Sequence, residues 1–140
     1  MGDVDINWLA VILAGIAGAG VSWLWFSKYL FRNRWMHLAG LTLERVERGT
    51  SVAAAITGVV SLLTAYVVAY VASLIEAHSG DGDLASALGA AFWLWFGIAA
   101  ATVIVHDAFD QQPVTKMAIS AGERLVTLMV MGFIIGLFGV

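Results

Sequence analysis

The sequence predicts an all-α integral membrane protein: four transmembrane helices, with a short amphipathic interfacial helix between the first and second. Three observations predict it. The chain is 61% hydrophobic and 12% charged, whereas a soluble domain is about half apolar and a quarter charged. The apolar residues fall into four runs, each near the ~20 residues that span a bilayer core. All seven Lys and Arg lie in, or nearest to, just two of the three connections. Such an asymmetry orients membrane proteins. The four runs fill most of the 140 residues, so a single transmembrane domain over 1–140 is expected.

Residues 1–5 carry Asp3 and Asp5 and no basic side chain, so no secretory signal with a positive n-region is read there. The first helix is expected over about 6–28. Its Ala10, Ala14, Gly18 and Ser22 recur every four residues, a stripe that lets another helix approach closely. Phe31 to Gly49 is too polar to span. Trp35, Met36, Leu38, Leu41, Leu43 and Val46 are interspersed there with charged residues, which predicts an interfacial helix. Thr42 is the expected N-cap and Gly49 the expected stop. The second helix is expected over about 51–75, with Ser61, Ala65, Ala69 and Ser73 as its small-residue stripe. His78 to Asp83 form a turn. The third helix is expected over about 84–105. A second turn follows, broken by Pro113. The fourth helix is expected over about 116–138, and Gly132-x-x-x-Gly136 is its close-packing motif.

The basic connections, 29–50 and 106–116, contrast with Asp3, Asp5, Glu76, Asp81 and Asp83 at the other end. The positive-inside rule puts the basic loops in the cytoplasm and both termini outside a cell membrane. The net charge of −3 points to no charged partner, and no basic face is long enough to track nucleic acid. There is no cysteine, hence no disulfide, thiolate nucleophile or thiolate-bound metal. WLWF occurs at Trp23–Phe26 and again at Trp93–Phe96. The first copy is expected near a helix end and the second near mid-membrane, which argues for coincidence rather than duplication.

Ionisable residues inside an apolar span are paired or functional, and Glu123 and Arg124 are the pair that needs explaining. They are read either as an ion pair that latches helices or as a proton- or cation-handling site. Burial disfavours the charged carboxylate and a neighbouring guanidinium favours it. At about 100° per residue, Ser120, Glu123 and Thr127 share a face of the fourth helix, and Trp95, Thr102 and His106 share one of the third. Ser22, Trp25 and Tyr29 share one of the first. His106, Asp107 and Asp110 are expected near Glu123 or Arg124, with a solvated acidic turn beside Lys116 as the alternative. The candidate polar site is therefore Glu123, Arg124, His106 and Thr127. Trp93 and Trp95, both mid-span, are candidates to line a cavity for an apolar ligand or pigment, or simply to pack. No metal-ligand spacing, nucleotide loop or nucleophile elbow occurs, so no metal, cofactor or enzymatic activity is expected.

Several short motifs, in order, resemble a family of small prokaryotic four-helix membrane proteins, domain of unknown function 1761. They are Asn7-Trp8, the Phe31 and Trp35 spacing, the Trp95/Gly97 region and the Phe109 to Pro113 turn. Ala121-Gly122, Leu125-Val126 and Met131-Gly132 complete the set. Where that family shows Trp-Tyr-Ser, this chain has Trp25-Phe26-Ser27. Where the family often has Asp-x-Gly-Tyr, this chain has Ser120-Ala121-Gly122-Glu123, which moves the acidic group by nearly one turn. The resemblance implies a fold and a membrane location and no activity.

Two functions follow from the residues. One is a small-solute or proton-coupled transporter or channel centred on Glu123 and Arg124. The other is a non-transporting accessory or binding protein that holds an apolar ligand, lipid, pigment or partner subunit. The expected partners are membrane lipids, a second copy of the chain in a dimer, or a partner membrane protein.

Overall fold

The computed structural model describes residues 4–140. Asp3 lies outside the described residues. All regular structure among them is helical, and four helices are long and apolar enough to cross a membrane.

Helix α1 spans Trp8–Trp25. Asn7 caps it, accepting from the Ala10 amide at 3.2 Å. The Asn7 amide nitrogen also donates to the Phe138 carbonyl at 2.9 Å, tying the start of the bundle to its end. The helix stops short of the expected 28 because the backbone turns at Phe26, and Phe31 N–H reaches back to the Trp25 carbonyl at 3.0 Å. Helix α2 spans Arg32–Ala39 and ends on Gly40 in the left-handed region, φ 68°.

Thr42 caps the next helix as the sequence predicts, accepting from the Arg45 amide at 3.3 Å. The predicted stop at Gly49 is wrong. Helix α3 runs unbroken over Leu43–Ser79, 37 residues, so the expected interfacial helix divides into α2 and the first two turns of α3. A mid-helix glycine costs only about 1 kcal/mol. Gly49 has no left-handed backbone to end the helix. A Glu44–Arg48 pair at 2.7 Å bridges the turn before it.

Gly80 and Gly82, φ 67° and 96°, turn the chain into α4, Asp83–Leu94. Glu76 Oε2 accepts from the Gly82 amide and the Ser86 hydroxyl, each at 2.8 Å, and so closes this turn. The expected third helix is not uniform. A π-helical stretch, Trp95–Ala99, separates α4 from α5, Ala100–Phe109. After a turn through Pro113, α6 spans Val114–Phe138.

Helices α1 and α4 each pack on both α3 and α6, while α5 packs chiefly on α6. The result is an up-and-down four-helix ring. Its half near the chain termini is closely packed. Ala14, Ala65, Val68, Ala87, Met131 and Ile135 are at most 1% exposed there. Small residues set the spacing. A Cβ on Gly132 would lie 2.7 Å from the Ala87 carbonyl oxygen, and one on Gly136 would lie 2.6 Å from the Leu84 Cα. The Gly132/Gly136 motif thus seats α4 on α6. The stripes of α1 and α3 likewise face inward, with Ala10, Ala14, Gly18, Ser61, Ala65 and Ala69 all buried.

A carboxylate at the floor of a one-sided cavity

Glu123 lies on the inner face of α6 and is 2% exposed. Its Oε1 accepts the Ser22 hydroxyl of α1 and, at 3.0 Å, the Thr127 hydroxyl one turn along its own helix. Its Oε2 lies 3.3 Å from Arg124 Nε. The guanidinium is half exposed, as expected for a long cation that keeps its head in a polar region. A buried carboxylate is tolerable only when its lone pairs are met in this way.

Two tryptophans fix the helix turn that precedes it. The Trp25 indole donates to the Ile119 carbonyl at 3.1 Å, and the Trp95 indole donates to the Ala121 carbonyl at 2.8 Å. These are the third residues of the two WLWF copies. Their acceptors lie two residues apart on α6, a rise of about 3 Å. The expected difference in depth between the copies is therefore absent at these residues. The first Trp of each copy is exposed, Trp23 62% and Trp93 65%.

Glu123 forms part of the wall of a cavity of about 820 Å³. From α1 come Ala19, Ser22 and Trp23, and from the stretch after it Phe26, Lys28 and Tyr29. Arg32 of α2 and Glu47, Ala54, Thr57 and Ser61 of α3 continue the lining, and Arg124 sits beside Glu123. No residue of α4 or α5 contributes, so the cavity has helical walls from α1, α3 and α6 and lacks the fourth. The closely packed half of the bundle seals it toward the chain termini.

The expected polar site is only partly assembled. Glu123, Arg124 and Thr127 come together. His106 does not join them: it pairs with Asp110 at 3.4 Å, both well exposed on the end of α5. The π-helical stretch lies between Trp95 and His106, and its wider turn breaks the 100° projection that put them on one face. Asp107 is no surface group. It is 6% exposed and holds Lys116 at 2.7 Å, fastening α5 to α6, while its Oδ2 has no partner among the described residues. Trp93 and Trp95 do not line the cavity. Trp93 lies in an outward aromatic cluster with Phe92 and Phe96, and Trp95 braces α6. Aromatic lining comes instead from Trp23 and Phe26 of the first WLWF copy. The donors around Glu123 suit a carboxylate rather than a metal, and no group of three or more His, Asp or Glu is placed for a metal ion among the described residues.

Sequence reasoning missed Ser22, Arg32 and Glu47 as members of the site. Ser22 was on the right face of its helix, but no local pattern relates the face of α1 to that of α6.

No curated protein and no solved structure matches the chain. A family comparison matches residues 9–136, from the first turn of α1 to the last of α6, and the chain therefore belongs to the family described as "Protein of unknown function (DUF1761)".

Proposed function

We propose that the protein crosses a cell membrane four times and holds a small amphiphilic ligand in the cavity beside Glu123, without catalysing a reaction. Four apolar helices support the membrane reading. The positive-inside rule favours the end bearing Lys28, Arg32 and Lys116 as cytoplasmic, with α2 lying in the interface on that side and both termini outside. The observation that carries the binding reading is the cavity itself. Its volume of about 820 Å³ falls within the range of small-molecule sites, about 300–1,000 Å³. Most of its lining surface is apolar, as is usual for such sites, and it carries more polar and charged side chains than a purely apolar pocket would.

Binding is favoured over conduction because the cavity ends at the closely packed core formed by Ala65, Val68 and Met131. Transport is the second reading, favoured by one observation: a buried carboxylate lines a cavity. A homodimer is a further proposal. With the small-residue stripes facing inward, the aromatic face around Trp93 remains for it.

The test is saturable binding of fluorescent single-chain amphiphiles to the protein in nanodiscs, alongside proton and ion flux in liposomes. We expect about one ligand per chain, loss of binding when Ala54→Trp fills the cavity, and no flux. Absence of binding by every amphiphile would remove the reading. A flux abolished by Glu123→Gln would replace it with transport.

A further inference from the structure

Resting on that reading, we infer that the ligand is a single-chain amphiphile with an anionic headgroup, carboxylate or phosphate. Lys28 and Arg32 hold the headgroup, and the chain lies along α3. The charges that line the cavity point to this ligand. Five charged groups line it: Lys28, Arg32, Arg124, Glu47 and Glu123. Glu123 and Arg124 are engaged with each other. Of the remaining three, two are cations. Arg32 has no carboxylate partner among the described residues, and its Nε is buried with no acceptor. Among the described residues Lys28 has only the Tyr29 ring, 5.1 Å away.

A guanidinium is suited to carboxylate and phosphate oxygens, and Arg32 lines the cavity with no carboxylate of the described residues paired to it. An anionic headgroup would balance the surplus positive charge. A cationic headgroup would meet two cations and find only Glu47 free. The α3 wall tells against a free anion: Ala53, Ala54, Ile56 and Val60 alternate there with the neutral Thr50, Thr57 and Ser61, which offers an alkyl chain contact and an inorganic ion no counter-charge.

The experiment compares a long-chain fluorescent fatty acid with its methyl ester and with the primary amine of the same chain. The protein is held in zwitterionic nanodiscs. The fatty acid is expected to bind about tenfold or more tightly than either analogue, the loss expected when one charge-assisted contact is removed. Arg32→Gln is expected to lower fatty-acid affinity about tenfold and leave ester binding unchanged. Arg32→Lys, which keeps the charge, is expected to retain most of it and so separates a folding defect from a lost contact. Equal binding of acid and ester, or no effect of Arg32→Gln, overturns the inference while leaving a ligand-binding cavity. Displacement of the probe by inorganic phosphate at low millimolar concentration overturns it in favour of a free anion. If no probe of any charge binds, the ligand-binding reading fails first and the inference fails with it.

Discussion

Ser22 and Thr127 donate to the same oxygen of Glu123, so their contributions are coupled. Inside a membrane such hydrogen bonds are worth about 0.5–2 kcal/mol each. Ser22→Ala and Thr127→Ala are each expected to destabilise the detergent-solubilised protein by that amount. The double variant should depart from the sum of the two, because contacts to one shared group are not additive. Thermal or denaturant unfolding of the four proteins checks this, and strict additivity would mean that the two hydroxyls act independently. At this scale the sequence was informative where spacing was local. Glu123, Arg124 and Thr127 are within one turn of one another, and helical periodicity alone groups them. Ser22 lies 101 residues away, and its part in the site depends on how two helices are rotated. His106 was misplaced because a short turn makes two helices neighbours without saying which face meets the other: Asp107 turns toward α6 and pairs with Lys116, and His106 does not.

Among the helices, the glycines divide into two kinds. Gly132 and Gly136 meet the backbone of α4, whereas nothing lies within 4 Å of a Cβ built on Gly58 or Gly89. Gly132→Ala and Gly136→Ala are therefore expected to destabilise by about 1–3 kcal/mol, the usual cost of overpacking. Gly58→Ala and Gly89→Ala should be neutral or stabilising by up to about 1 kcal/mol. Melting of the purified variants would show the contrast, and equal effects at all four positions would contradict the packing described. Helix existence was legible from apolar run length, and the Thr42 cap from its position before an amphipathic stretch. The boundary at Gly49 was not. A glycine stops a helix through the backbone conformation it adopts, and composition does not record that. The break within the third helix left no mark either, since no proline or charge interrupts Leu94 to Ala100.

Over the whole molecule the two ends of the bundle differ. One is closed by alanines and Met131, and the other holds the cavity and nearly all the basic side chains. With no native cysteine, orientation is open to single-cysteine labelling. Ser79→Cys, exposed at the end of α3, is expected to react with an impermeant reagent on intact cells. Thr115→Cys, exposed at the turn into α6, should react only after permeabilisation. The reverse pattern would invert the proposed topology. The overall architecture was the most legible level, because a bilayer admits few ways to satisfy the backbone of such apolar runs. The one-sidedness of the interior was not, because it arises from α5 packing on α6 and leaving α3 without a neighbour there.

The partners of Glu123 also bear on how the chain is made. Two of the three, Arg124 and Thr127, belong to its own helix. Only Ser22 comes from elsewhere. Membrane helices insert individually and associate afterwards. On the proposed membrane reading, α6 would enter the bilayer already carrying its own counter-ion and a hydroxyl for the carboxylate. The Ser22 contact is left to form when α1 and α6 pack together, as a register mark between those two helices.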